Sequence, residues 1–112
     1  MPRRVTDSQW RELVRDVLAI ADLPRDYHVD IRRVPGLRQT AALGLTYAVD
    51  PDTLRFRVEV EHDVCHDLAT EILIHEMAHV LDYHNAKLTK RDHGPTWGIY
   101  YAGLIRRYHQ TQ

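Results

Sequence analysis

The stretch His75-Glu76-Met77-Ala78-His79 sets two imidazoles four residues apart, with a carboxylate directly after the first. On an α-helix, residues four apart project from nearly the same face, so both histidines can reach one small cation. Glu76 lies about 100° further round the helix, close enough to touch a water on that cation without ligating it. The chemistry permitted by this spacing is metal-assisted hydrolysis, in which imidazoles hold zinc and a carboxylate takes a proton from water. Ile72-Leu73-Ile74 before the stretch and Val80-Leu81 after it point to a buried helix. Burying two imidazoles and a carboxylate without a partner is costly, whereas a metal satisfies all three.

A catalytic zinc needs a third protein ligand and an open coordination position. No glutamate follows Glu76, which leaves Asp82, His84, Asp92, His93 and His109 downstream. His84 falls on the opposite side of the helix from His75. Asp82 is on nearly the same face but a turn beyond His79, where it suits accepting the free N–H of a ligand imidazole. His109 is close to the C-terminal end. His93 ends a segment long enough to fold back over the motif helix. Gly94 after it would let the backbone approach closely, and Pro95 would start a helix that fixes its direction. His93 is therefore the expected third ligand, beside His75 and His79. A further donor to the reacting carbonyl oxygen could come from Tyr47, Tyr83, Tyr100 or Tyr101. His62, Cys65 and His66 cluster in sequence but lack a structural-zinc spacing.

The elements that must position these groups are an α+β set. Residues 7–22 read as an amphipathic helix, capped by Asp7 or Ser8, with Trp10, Leu13, Val14, Val17, Leu18 and Ala21 recurring at helical spacing. Residues 27–34 alternate as a strand, and a second strand is expected at 42–49, with Leu43, Leu45, Tyr47 and Val49 in phase. Thr53–Glu61 is the clearest strand: Leu54, Phe56, Val58 and Val60 should face inward and Arg55, Arg57, Glu59 and Glu61 outward. Short links predict a three-stranded antiparallel meander. If the third strand were the sheet edge, substrate could add to it as an extended strand. The motif helix should start between Asp63 and Asp67 and end near Tyr83 or His84. A polar loop is expected over Asn85–Gly94, and a last helix from Pro95 to about His109.

The length of 112 residues suits one domain spanning 1–112. With 15 Lys and Arg against 16 Asp and Glu, there is no overall basic field for nucleic acid. Arg3, Arg4, Arg11, Arg15, Arg32, Arg33 and Arg38 could form a local patch, but balanced charge favours a solvated face. The apolar runs are too short to span a membrane, and the N-terminus lacks the apolar core of a signal peptide. The single cysteine, Cys65, fits a reducing cytoplasm.

His75-Glu76-Met77-Ala78-His79, followed after a loop by His93-Gly94-Pro95-Thr96-Trp97, resembles the SprT-like (Spartan-type) zinc metallopeptidase domain over about residues 54–105. The resemblance implies a compact zincin-like fold, one zinc ion on His75, His79 and His93, and Glu76 as catalytic base. It also implies a zinc-dependent endopeptidase acting on protein or peptide, with DNA-associated proteins among its substrates. Many members append a cysteine-rich zinc ribbon or DNA-binding segments; with one cysteine in this chain, a stand-alone metallopeptidase domain is expected. The competing expectations are a non-catalytic, zinc-stabilised DNA- or protein-binding domain, in which Glu76 would have no task, and a zinc hydrolase of non-peptide substrates.

Overall fold

A computed structural model describes residues 3–50 and 52–112. The chain runs through helix α1 (Asp7–Ala21), strand β1 (His28–Val34), a 3₁₀ turn (Leu37–Thr40), strands β2 (Gly44–Asp50) and β3 (Arg55–Glu61), and helices α2 (His66–Leu81), α3 (Tyr83–Thr89) and α4 (Pro95–Thr111). The α+β expectation holds at that level. No helix among the described residues is long and apolar enough to cross a membrane.

Helix α1 begins at Asp7, as expected, but is capped by Thr6, one residue before the nearer predicted cap. The Thr6 hydroxyl accepts from the Gln9 N–H (3.1 Å), and the Gln9 side chain accepts in return from the Thr6 N–H (2.9 Å). This reciprocal cap satisfies two otherwise unpaired backbone donors. Leu13, Val17 and Ala21 form the buried stripe of the helix.

The sheet is mixed, not an antiparallel meander. Its order is β1-β3-β2, with β1 parallel and β2 antiparallel to β3. The cause lies in β3, whose Phe56, Val58 and Val60 are all buried. A strand this apolar gains most in the centre, with a neighbour on each edge. The 35–43 segment, with Gly36 and Ala41 in left-handed conformation, is long enough to carry the chain past that position, so β2 lands on the far edge. A register shift between Ala48 and Asp50 adds a bulge before the turn into β3.

Two expected orientations are reversed. Glu61, predicted to face solvent, is 1% exposed and accepts from the Arg38 and Asp63 N–H groups, both at 3.0 Å. It thereby fastens the 3₁₀ turn to the end of β3. At and along β2, the in-phase residues Leu43, just before the strand, and Leu45, Tyr47 and Val49 within it all stand exposed. The opposite, small face of Gly44, Thr46 and Ala48 is the one that meets the interior.

Helix α2 is the spine. It packs on β2 and β3, with α1 beside it and α4 across it. Ala69, Leu73, Met77, Ala78 and Val80 along it are fully buried. Asp82 (φ −88°, ψ 3°) ends α2 earlier than predicted, and α3 starts at the next residue. Backbone pairing survives the break, since Asp82 N–H donates to Ala78 and Ala86 N–H to Asp82. The expected polar loop thus contains most of a helix. Helix α3 buries none of its residues, so its sequence carries no apolar period to betray it.

Candidate metal centre

His75 and His79 project from adjacent turns of α2, and His93 arrives from the segment between α3 and α4. Their Nε2 atoms form a near-equilateral triangle: 3.3 Å between His75 and His79, 3.0 Å between His79 and His93, and 3.2 Å between His93 and His75. A neutral imidazole nitrogen carries either one proton or one lone pair. Three such atoms cannot all hydrogen-bond one another around a triangle, so a shared cation is the arrangement that satisfies them together. Tetrahedral zinc with Zn–N near 2.0–2.1 Å sets ligand nitrogens about 3.3 Å apart, close to the edges observed. The donor set fits the ion. Among the described residues, these three form the one group of His, Cys, Asp or Glu close enough to hold a metal.

Electrostatics favours the same use. Burial, followed by the neighbouring imidazoles, pushes His79 down to about 4, and burial followed by His93 also lowers His75. Both are neutral at pH 7, with no proton competing for the lone pair. Trp97, on the first turns of α4, packs against all three imidazoles at centroid distances of 4.8, 5.5 and 4.8 Å. It also stacks on Tyr101 at 5.0 Å.

Glu76 stands beside the triangle, 7% exposed, with Oε2 3.9 Å from His75 Nε2. Burial raises its pKa, against a lowering hydrogen bond from Thr46. That bond is short: Thr46 Oγ1 donates to Glu76 Oε1 at 2.7 Å. One carboxylate oxygen is therefore held by the sheet while the other faces the histidines. Gly44 lies over the same carboxylate. A Cβ there would meet Ile72 Cγ2 at 2.7 Å and Glu76 Oε2 at 2.9 Å, closer than real Cβ atoms come.

Gly44 and Thr46 were not singled out from sequence. A glycine inside a strand pattern was the available signal for close approach of another element, and Thr46 shares its face. Gly94, by contrast, does not have the expected role. Its backbone is extended, and a Cβ would find only ordinary contacts with Arg91, none under 3.4 Å.

The remaining candidates separate. Asp82 is buried, yet its carboxylate has no hydrogen-bond partner among the described residues, so it does not hold a ligand imidazole as expected. His84 packs against Tyr27 and Tyr83, away from the triangle. His109 packs against Tyr108. Of the four tyrosines, Tyr47 and Tyr83 line the cleft at the histidines; Tyr101 meets Glu71, and Tyr100 borders a different cavity. His62 meets Arg4 and His66 meets Asp67, and neither joins Cys65 in a donor group. Arg4, Arg15, Arg32, Arg33 and Arg38 are each paired with an acidic side chain.

Because β3 is the central strand, it offers no free edge to substrate. The edge beside the site belongs to β2, and a cleft of about 340 Å³ runs from Gly44 to Ala48 along it, past His75, Glu76, His79 and His93. No family model matches this chain, and no curated protein or solved structure does either.

Proposed function

We propose that this chain is a zinc-dependent endopeptidase with a zincin-like, SprT-type arrangement. The observation that carries the reading is the convergence of three imidazole nitrogens beside a buried, tethered carboxylate. His75, His79 and His93 would hold the zinc, which when bound lowers the pKa of a water and polarises a substrate carbonyl.

The rest is the work of this chain's own groups. Glu76 takes a proton at Oε2, the oxygen facing His75, and returns it to the departing amine. Thr46 keeps Oε1 occupied, so the proton has one destination. The unpaired edge of β2 offers backbone groups to an extended peptide, which would add to the sheet and lay its bond across Glu76. Protein or peptide is the substrate class that such an edge selects. DNA enters as a partner through the resemblance to SprT-like domains, and DNA-associated proteins are then the substrates to try first.

The test has two readouts. Metal analysis should find about one zinc per chain, from the single site, in the wild type and in Glu76→Gln, and loss of it in His93→Ala. An unfolded protein, offered with and without DNA, should be cleaved by the wild type and left intact by both variants. Full zinc affinity in His93→Ala would refute the site, and a zinc-loaded wild type inert under both conditions would refute the activity.

A further inference from the structure

Two clefts open on either side of Glu76. The one already described is rimmed by Thr46, Tyr47, Asp92 and His93. The other, about 410 Å³, lies at the opposite end of the β2 edge and is walled by Ala42, Leu43, Leu68 and Ile72. Gly44, His75 and Glu76 border both, so the two clefts meet at the reacting centre. Their walls differ in chemistry: beyond the shared residues, the first mixes Thr46, Asp92 and His93 with Leu45, Ala48 and Phe56, whereas the second is aliphatic apart from Glu71.

Leu43 and Leu68 are 36% and 38% exposed, large aliphatic side chains that the described residues leave partly open to solvent. Glu71 also borders this cleft, and the Tyr101 hydroxyl donates to its carboxylate at 3.4 Å, holding it toward α4. Aliphatic walls of this kind gain when an apolar group displaces water from them. The cleft's continuity with the site says which group that is. An extended chain laid along β2 sends alternate side chains to the same side. Gly44 stands where the clefts meet, in such close contact with Ile72 and Glu76 that no larger residue fits there.

We propose, on the strength of the peptidase reading above, that this second cleft is a specificity pocket. It takes one apolar side chain, of leucine or phenylalanine size, from the residue flanking the cut bond on one side. The protein is then selective for apolar sequence at that position, and less so on the other side, where Thr46, Asp92 and His93 share the wall.

The experiment uses zinc-loaded full-length protein and a matched peptide series with Leu, Phe, Asp or Lys on either side of the cut bond. Binding of the same peptides to zinc-loaded Glu76→Gln is followed through the methyl resonances of Leu43, Leu68 and Ile72. The expected result is kcat/KM roughly tenfold or more higher for Leu than for Asp at one flank only, the usual worth of one apolar side chain in a pocket. In Leu68→Glu and Leu43→Glu the Leu-to-Asp ratio should collapse and the preference move toward Lys. Cleavage without preference, or a preference that both variants retain, overturns the pocket and leaves the peptidase standing. No cleavage, but methyl shifts with the Leu and Phe peptides alone, supports the pocket and overturns the peptidase. Neither cleavage nor methyl shifts overturns both.

Discussion

Thr46 joins a strand to Glu76, the proposed acid–base group, thirty positions away on a helix, through a hydrogen bond of 2.7 Å. Hydrogen bonds to charged groups are worth about 1.5–3 kcal/mol, and this one also removes a rotamer choice. Replacing Thr46 by Val should lower kcat about ten- to a hundredfold, with zinc content and KM little changed. Thr46→Ser keeps the hydroxyl and should recover most of the rate; a Val variant as fast as wild type would show that the tether is idle. At this scale, legibility divides by the kind of information needed. The imidazoles and carboxylate that meet in the fold are residue types whose spacing within one helix turn is written in the chain, and His93 emerged because few other donors lie downstream. Thr46 is an ordinary strand residue until the sheet is placed over α2. Asp82 shows the converse: helix phase brought it near the ligands on paper, but the helix ends at that residue.

Among elements, the spacing of β2 over α2 decides the geometry of the site. That spacing is set by Gly44, where side-chain contact with Ile72 and Glu76 leaves no room for a methyl group. Gly44→Ala should destabilise the fold by about 1–3 kcal/mol, the usual range for overpacking, measurable by urea denaturation. Activity should fall further than stability accounts for, because the intruding methyl presses on Glu76 Oε2. The helices and strands themselves were largely readable, since amphipathic periods mark α1, β3 and α2. The sheet order was not, because alternation gives a strand its faces but not its neighbours. The outward apolar face of β2 misleads for a related reason: in-phase apolar residues usually mark the core side, and here α2 comes too close for them.

For the whole molecule, the metal and the protonation state of its cradle act on one stability. The core along α2, α1 and β3 is apolar and continuous, so the protein should stay folded when zinc is chelated, though less stably. Saturation at a thousand times Kd adds about 4 kcal/mol, so chelation should lower Tm by more than 10 °C, roughly, in thermal melts. The zinc-free form should then show a pH signature. His79 titrates near 4 in the fold and near 6.5 unfolded, chiefly because of burial. The unfolded chain therefore binds more protons between those values, and stability falls as pH drops from about 6.5 to 4. Glu61, held low by the Arg38 and Asp63 N–H groups, adds a loss at still lower pH, through and below the ordinary glutamate range. Denaturation of zinc-free protein from pH 7.5 downward, compared with His79→Gln, checks the first limb. The parts of the centre come from β2, from α2 and from the segment after α3. A chain emerging from the ribosome therefore holds its base and two ligands well before the third, eighteen positions beyond the first. On the peptidase reading proposed above, this ordering is an interlock: the chain cannot be armed against unfolded polypeptide, its own included, until synthesis has passed His93.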